Sequence, residues 1–239
     1  MTRGSQASGP ARRIENAEAF QEVFGVSRET LARLSAYEAL LKTWQKTINL
    51  VSPATLDQVW HRHFADSAQL LELGLADFPP SLGRGSPAGA KGWVDLGSGG
   101  GFPGLVLAVL LAERAPDARM TLVESDARKA AFLREVARNT GVAVEIRAER
   151  SEKAATQANS RTRDVITARA LAPLPKLLGL AIPFFSPSTV ALFPKGREAE
   201  VEVSEAQKRF GFDYSLAPSL TDDEARIVIV RNLAARTEG

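Results

Sequence analysis

A glycine-rich segment that follows a short apolar run holds the residues of this chain best suited to chemistry. Trp93 and Val94 lead into Asp95, and glycines occupy positions 97, 99, 100, 101 and 104. Glycine has no Cβ and adopts positive φ readily, so such a loop lets a ligand approach the backbone closely. A strand, a glycine loop and a helix in this order are typical of nucleotide-type cofactor sites. A turn without a ligand is disfavoured, because so many glycines cost chain entropy without a packing gain.

The loop fits two cofactor templates. Gly99, Gly101 and Gly104 match G-x-G-x-x-G, the fingerprint of dinucleotide-binding folds, which is a weak signal on its own. Asp95, Gly97, Gly99 and Gly101 match D-x-G-x-G-x-G, the S-adenosylmethionine (AdoMet) loop of Rossmann-like methyltransferases. The second template is favoured, because a carboxylate at the start of the loop can meet the cationic amino group of a methionine moiety. Asp95 is expected either to make this contact or to cap amides of its own loop, and both alternatives stay open.

An acid also ends the next predicted strand, residues 120–124. Glu124 is expected to accept hydrogen bonds from two ribose hydroxyls, because it lies one strand–helix unit after the glycine loop. NAD-binding folds place an acid similarly, so Glu124 does not by itself distinguish AdoMet from NAD.

Residues 94–104, VDLGSGGGFPG, resemble the cofactor loop of the RsmG family, also called glucose-inhibited division protein B. The resemblance extends from about residue 48 to residue 230, and RHFADS with ARA is its more specific part. It implies that the protein methylates N7 of one guanine in the 530 loop of bacterial 16S ribosomal RNA, with AdoMet as cofactor. The further matching segments are INLVS at 48–52, RHFADS at 62–67, TARA at 167–170, FPKG at 193–196 and RIVIV at 226–230.

The resemblance also implies roles for individual residues. It places Phe102 against AdoMet, and this contact is favoured over the alternative that the ring only staples the start of the following helix. It places Ser151 and Glu152, after the third predicted strand, around the adenine. It assigns Arg169, at the end of the fourth predicted strand, to cofactor binding; from the residues alone, pairing with an RNA phosphate or with Asp95 stays open.

Two further cations follow the fifth predicted strand. Lys195 and Arg197 are expected to contact RNA phosphates at the ligand-binding edge of the sheet, the alternative for Lys195 being a solvated side chain. His63 and Asp66, three residues apart, are expected to dock a helical extension onto the sheet. No catalytic residue is assigned, because guanine N7 carries a lone pair and no proton, and its methylation needs no general base.

Composition limits the classes of function. The chain of 239 residues has no cysteine and two histidines, which argues against a thiol nucleophile and against a metal site. No apolar run approaches the roughly 18 to 20 residues that span a bilayer, and no apolar signal core precedes the domain, so a cytoplasmic protein without a membrane partner is expected. The net charge of +2 does not announce nucleic-acid binding. The expected partner, 16S ribosomal RNA or the small ribosomal subunit, therefore comes from the resemblance, and a monomer is expected.

Three regions are predicted along the chain. Residues 1–14 form a disordered basic tail, residues 15–91 an N-terminal helical extension with a linker rich in Pro, Gly and Ser, and residues 92–239 the AdoMet-dependent methyltransferase domain. Strands and helices alternate in the last region, which predicts an α/β, Rossmann-like class I methyltransferase fold: a seven-stranded, mostly parallel sheet with helices on both faces. The predicted strands are 93–96, 120–124, 142–147, 164–168, 189–193, 212–217 and 225–231, the last two forming a hairpin; the predicted helices are 103–114, 126–140, 174–185 and 198–210.

Two rival functions remain to be weighed. An NAD(P)-dependent oxidoreductase would use the same kind of loop, but the chain has no Tyr-x-x-x-Lys pair to supply a proton. A non-catalytic RNA-binding assembly module would keep AdoMet only as a structural ligand. Binding of AdoMet against NADH separates the first rival from a methyltransferase, and single-turnover methyl transfer separates the second.

Overall fold

A computed structural model describes residues 13–76, 92–156 and 163–236. Seven strands form one sheet in the order β3-β2-β1-β4-β5-β7-β6, and every pair from β3 to β5 is parallel. β7 runs antiparallel to β5 and β6, which confirms the predicted hairpin and the mostly parallel seven-stranded sheet. The strands are β1 Gly92–Leu96, β2 Arg119–Val123, β3 Val144–Arg147, β4 Val165–Thr167, β5 Val190–Lys195, β6 Phe210–Pro218 and β7 Arg226–Ala235.

The helices of the sheet region begin close to their predicted positions. Asp126, for example, caps α6 by accepting hydrogen bonds from the amides of Arg128 and Lys129, and Gly141 ends the helix in the left-handed conformation. The α-helices in the described ranges are α1 Ala17–Phe24, α2 Arg28–Trp44, α3 Asp66–Ala68, α4 Leu70–Ala76, α5 Gly104–Arg114, α6 Ala127–Thr140, α7 Ser151–Thr156, α8 Leu174–Ala181 and α9 Ala199–Gln207. Short 3₁₀ segments cover Pro53–Gln58 and Ile182–Phe184, and a π-helix covers Val59–Ala65.

Strand side chains alternate between two cores, one on each face of the sheet. In β1, Trp93 packs with α5, α6 and the N-terminal helices, whereas the neighbouring Val94 packs with α8 and α9. Val190 and Ala191 of β5 alternate in the same way, because successive side chains of a strand point to opposite faces. Helices therefore cover both faces, as predicted, and the carboxyl ends of β1, β2, β4 and β5 share one edge.

The N-terminal extension belongs to the first core and differs in detail from its prediction. Ile14, assigned to the disordered tail, is 2% exposed, and its amide donates to His61 Nδ1, so it is part of the ordered chain. The rest of that tail, residues 1–12, and the predicted linker segment 77–91 lie outside the described residues. Within the extension, Ser52 precedes a 3₁₀ segment, Pro53–Gln58, that has no side-chain cap. In the described ranges, no helix has the length and apolar character needed to cross a membrane.

Tyr37 of α2 connects the extension to the glycine loop. Its side chain is fully buried, and its hydroxyl donates a hydrogen bond to the carbonyl oxygen of Gly100. Its ring lies parallel to that of Phe102, with 5.4 Å between centroids. Burial raises the pKa of Tyr37 well above its usual range, so the hydroxyl stays protonated and remains a donor. The helical extension thus contacts the glycine loop through Tyr37 and supports its conformation.

Tyr37→Phe tests this support. The substitution keeps the stacked ring but leaves the buried Gly100 carbonyl without its donor, which is expected to lower the free energy of unfolding by about 1–3 kcal/mol. Tyr214→Phe is the matched control, because Tyr214 is 45% exposed on β6 and should change stability by less than about 0.5 kcal/mol. Denaturant unfolding measures both, and equal stability of the two variants would contradict the role of Tyr37.

Candidate functional site

The glycine loop lies at the carboxyl end of β1, and three of its glycines have positive φ: 67° at Gly97, 56° at Gly99 and 90° at Gly101. A Cβ at Gly97 would lie 2.5 Å from Leu171 Cδ1, and one at Gly101 would lie 2.8 Å from a methyl group of Leu105. At Gly99 the nearest atom would be the carbonyl oxygen of Gly97, at 3.8 Å. Protein atoms therefore fill the space beside two of these glycines, whereas Gly99 faces open space that a ligand can enter.

Asp95, in β1 just before this loop, is fully buried. Its Oδ2 accepts a hydrogen bond from the amide of Gly104, the first residue of α5, at 3.2 Å, and its Oδ1 accepts one from Thr167 Oγ1 at 2.8 Å. Burial raises the pKa of the Asp95 carboxyl to about 6, while the hydrogen bonds from its neighbours act in the opposite direction. Of the two alternatives left open for Asp95, the structure shows the cap: the carboxylate ties β1 to α5 and to β4.

Glu124 lies next to the open glycine. Its Oε2 accepts a hydrogen bond from the amide of Gly99 at 2.8 Å, and its Oε1 accepts one from the amide of Asp126 at 2.7 Å. The residue is 7% exposed. An ionised carboxylate has about four acceptor positions, so two remain for the hydroxyls of a ribose. Glu124 thus fits the predicted ribose role and also fixes the backbone at Gly99.

The residues predicted to surround the adenine lie beyond β3. The amide of Glu124 donates to the carbonyl of Arg147 at 3.0 Å, which holds the ends of β2 and β3 together. Four residues later, Ser151 and Glu152 form the first turn of α7, the former half-buried and the latter exposed. They lie at the same edge of the sheet as Glu124, as an adenine site beside the ribose requires.

Phe102 is 5% exposed and lies inside an aromatic stack. Its ring stacks with those of Tyr37 and His63, with 4.8 Å between the Phe102 and His63 centroids. The guanidinium carbon of Arg169 lies 5.2 Å from the centroid of the Phe102 ring. The structure therefore shows Phe102 fixing the loop to the extension, which is closer to the alternative of a hydrophobic staple than to an open cofactor surface.

Arg169 joins the end of β4 to the extension. One guanidinium nitrogen donates to Asp66 Oδ2 at 2.9 Å and to the carbonyl of Arg62 at 2.8 Å, and the other donates to His63 Nδ1 at 2.9 Å. The side chains of Arg169 and Asp66 are 17% and 18% exposed. The pairing with Asp95 weighed from the sequence is replaced by pairing with Asp66, and His63 and Asp66 dock the extension as predicted.

The contacts of His63 determine its protonation. Because Nδ1 accepts from Arg169, the ring proton lies on Nε2, which is 2.9 Å from Thr55 Oγ1. Burial, together with the charges of Arg169 and Arg62, lowers the pKa of His63 to about 3. The ring is neutral at physiological pH with both nitrogens engaged, so it acts in the structure and not as a base.

The predicted RNA-binding cations differ in their surroundings. Lys195 is 10% exposed; its Nζ donates to Glu202 Oε2 at 2.7 Å and to the carbonyl of Ala172 at 2.9 Å. Arg197 has a 76% exposed side chain and lies 3.4 Å from Glu224. Protein groups thus already bind the ammonium of Lys195, whereas the guanidinium of Arg197 is accessible to a phosphate.

A cleft of about 890 Å³ lies beside the glycine loop, at the carboxyl ends of β4 and β5. Its walls come from the segment 49–55 of the extension, from residues 169–170 and 194–196, and from the turn between β6 and β7. Three cations line the described cleft, and each is paired with a carboxylate: Arg62 with Asp222, Arg169 with Asp66 and Lys195 with Glu202. The cleft is therefore polar and close to neutral.

Several residues of this region were missed from the sequence. Thr167, which bonds to Asp95, lies in the TARA segment, and its position at a strand end was an available signal. The others act through tertiary contacts: Thr55 with His63, Glu202 with Lys195, and Thr221 with Asp66. Nothing in their local sequence indicates these partners, because the contacts arise only from the tertiary fold.

The residues around the glycine loop fit AdoMet. The space beside Gly99 admits a ligand against the backbone, Glu124 keeps acceptor positions for the ribose, and α7 begins where an adenine would follow. The separate cleft beyond residues 169–170 leaves room for a second, larger group. The glycine loop and the cleft therefore adjoin near the ends of β1 and β4, where Ala170 lines the cleft and Leu171 contacts Gly97.

Solved methyltransferase structures share the fold. A putative O-methyltransferase from Klebsiella pneumoniae superposes with a TM-score of 0.56 at 14% identity and covers 90% of this chain and 96% of that one. The O-methyltransferase from Bacillus cereus, solved in complex with SAH, gives 0.53 at 14% identity and covers 91% and 100%. At this level of identity the likeness concerns the fold alone, and it confirms the Rossmann-like methyltransferase architecture.

Sequence relatives are much closer. A ribosomal RNA small subunit methyltransferase G from Parvibaculum lavamentivorans is 47% identical over 233 residues, covering 98% of this chain and 96% of that protein. A protein of the same name from Rhodospirillum centenum is 49% identical over 217 residues, covering 91% of each. The family model described as GidB, rRNA small subunit methyltransferase G, matches residues 30–226. On these matches, which extend over the glycine loop, the cleft and the extension alike, the chain belongs to the GidB family.

Proposed function

We propose that this protein transfers a methyl group from AdoMet to N7 of a guanine in the 530 loop of 16S ribosomal RNA. The observation that carries the proposal is the pair of adjoining sites: the opening at Gly99 beside Glu124 for the cofactor, and the cleft beyond residues 169–170 for the base. The family match supplies the class of substrate, ribosomal RNA of the small subunit. The 530 loop and the N7 position follow from the resemblance of the motifs to the RsmG family.

The proposed methyl transfer needs no general base. AdoMet, when bound, supplies an electrophilic methyl group on a sulfonium. Guanine N7 attacks with its own lone pair, and the neutral, fully bonded His63 agrees with a reaction that needs no base. The contribution of the protein is chiefly orientation, which is worth about 7–11 kcal/mol when the reacting atoms are held in line.

The cleft also suits the charge that the reaction creates. Methylation at N7 leaves a positive charge on the guanine ring, and a carboxylate near the base stabilises that charge in the transition state. Asp66, Glu202 and Asp222 supply carboxylates to the cleft. Among the described residues, Lys195 and the amide of Leu174 both donate to Glu202 Oε2, which leaves Oε1 to face a ligand.

Labelled-methyl transfer tests the proposal directly. The substrate is small-subunit ribosomal RNA, or the subunit itself, from cells that lack this protein, and the product is mapped to the modified base. Label at N7 of a guanine in the 530 loop supports the proposal. AdoMet binding without single-turnover transfer would instead support the assembly module, and binding of NADH without AdoMet would support an oxidoreductase.

A cytoplasmic location and a monomeric state complete the proposal. The first follows from the class of substrate, and the second is an expectation that sedimentation velocity would test.

Gly99→Val is expected to abolish AdoMet binding without unfolding the sheet. The valine side chain would occupy the open space beside the loop, and its branched Cβ resists positive φ. Gly141→Val is the matched control, because Gly141 also has positive φ, 68°, with open space around it, but lies at the end of α6. Calorimetry with AdoMet and circular dichroism compare the two; equal AdoMet affinity in both would exclude this loop as the cofactor site.

Glu124→Ala is expected to weaken AdoMet binding by about 1–3 kcal/mol, because a charged acceptor is lost. Glu124→Gln should cost less, since it keeps one acceptor oxygen, although its amide cannot accept from both Gly99 and Asp126. Glu205→Ala, a change at an exposed acid of α9, serves as the control in the same titration. Unchanged affinity in both Glu124 variants would refute the ribose assignment.

Lys195→Ala combined with Arg197→Ala is expected to lower RNA affinity and to reduce the slope of log K against log salt, while AdoMet affinity stays nearly intact. Phosphate contacts release counterions, and each lost contact lowers the slope by about one. The exposed Arg197 is expected to account for most of the effect, as the single variants would show. Replacing Arg138, in the last turn of α6, and Lys208, directly after α9, is the control, because neither follows a strand at the carboxyl edge of the sheet. An unchanged slope in the test variant would mean that the RNA binds to another surface.

A further inference from the structure

The segment 169–174, between β4 and α8, separates the glycine loop from the cleft. Ala170 lines the cleft, and the side chain of the next residue, Leu171, packs against Gly97 of the loop. A cofactor bound at the loop and a base bound in the cleft would therefore meet across this segment. Its conformation then decides how the two ligands approach each other.

The backbone of this segment is strained. Ala170 has a φ of 54°, in the left-handed region, which costs a residue with a Cβ about 1–2 kcal/mol. Asn232 has a similar φ of 52°, but asparagine tolerates this region and alanine does not. Strain of this kind persists only where the surrounding structure enforces it, and it is concentrated at functional sites.

Two ion pairs enforce the strained conformation, one at each end. Before Ala170, the guanidinium of Arg169 is held by Asp66 at 2.9 Å. After it, Lys195 Nζ donates to the carbonyl of Ala172 at 2.9 Å, and Glu202 Oε2 accepts from both Lys195 and the amide of Leu174. Four charged side chains, none more than a quarter exposed, thus fix a stretch of six residues.

The residue that this arrangement presents is a leucine. Leu171 is 36% exposed and follows Ala170, which lines the cleft. The exposed part of this apolar side chain gains nothing from the protein alone. It approaches Gly97 so closely that a Cβ there would lie 2.5 Å from Leu171 Cδ1. The exposed part of the leucine is therefore available to a ligand beside the loop.

We propose that Leu171 is the apolar wall against which the target guanine is held in line with the methyl donor, and that Lys195 and Glu202 are positioning residues that hold this wall. The inference rests on the proposed function and adds to it the residues that set the geometry of transfer. An apolar wall excludes water from the reacting atoms and restricts the angle of approach. It also gives Lys195 a role through the Ala172 carbonyl in place of a contact with phosphate.

Leu171→Ala is the first test, because an exposed side chain can be shortened without unfolding the chain. Single-turnover methyl transfer, with AdoMet and small-subunit ribosomal RNA both saturating, is expected to slow by about 10- to 100-fold, the effect of a small misplacement of reacting groups. The dissociation constants of AdoMet and of the RNA are expected to stay within about threefold, a change of less than 0.7 kcal/mol at 1.4 kcal/mol per decade. Leu171→Met, which restores the volume, is expected to recover most of the rate.

Val201→Ala is the matched control, since Val201 is an apolar residue, 62% exposed, that lies on α9 outside the segment 169–174. It is expected to react at the rate of the unchanged protein. A normal single-turnover rate in Leu171→Ala would overturn the inference while leaving the proposed function intact. Loss of AdoMet binding in this variant would also overturn it, because Leu171 would then belong to the cofactor pocket. No transfer by the unchanged protein would overturn the proposed function itself.

Lys195→Met separates positioning from phosphate binding. The positioning role predicts a lower rate at saturation with an unchanged RNA dissociation constant and an unchanged salt slope. A phosphate contact predicts the reverse: a normal rate at saturation, weaker RNA binding and a slope smaller by about one; that result would overturn the role given to Lys195. Lys195→Arg, which can still donate to Glu202 and to the Ala172 carbonyl, is expected to regain part of the rate.

Discussion

The guanidinium of Arg169 is the interaction on which the arrangement of this protein depends. Its nitrogens bind Asp66 and His63 of the extension, and its central carbon lies over the ring of Phe102 in the glycine loop. One side chain at the end of β4 thus joins the extension, the loop and the sheet. A largely buried guanidinium is costly unless its donors are satisfied, so docking of the extension stabilises this edge of the sheet. The extension is for this reason part of the site and not an appendage to it.

Two carboxylates at the strand ends accept hydrogen bonds from backbone amides of the protein itself. Asp95 accepts from the first amide of α5, and Glu124 accepts from the amides of Gly99 and Asp126. A loop of glycines is otherwise expensive to order, because glycine loses more conformational freedom on folding than any other residue. The two acids that the sequence predicts for the cofactor site therefore also fix the conformation of the loop.

Much of the fold follows from local pattern, and much of the site does not. The alternation of apolar strands with helices, the glycine loop and the final hairpin were predictable, because each is encoded within about thirty residues, the size of one strand–helix–strand unit. The end of α2 at Trp44 could not be predicted in this way. The side chain of Gln45 accepts hydrogen bonds from the amides of Leu50 and Val51 and closes a turn, which helical periodicity does not indicate. The partner of Arg169 lies 103 residues away in sequence, at Asp66, and such pairings appear only once the chain is folded.

The pairing of every cation in the described cleft with its own carboxylate has a consequence for how the protein finds its substrate among other RNAs. Attraction to RNA in general grows with the number of phosphates that free cations neutralise, and charges already neutralised within the protein contribute little to it. RNAs other than the substrate, present in large excess, are therefore expected to compete weakly for this surface. Selection shifts to features that bulk RNA lacks, namely an unstacked base and a particular local shape. The protein is then expected to associate with its substrate more slowly, but it is not sequestered by other RNAs.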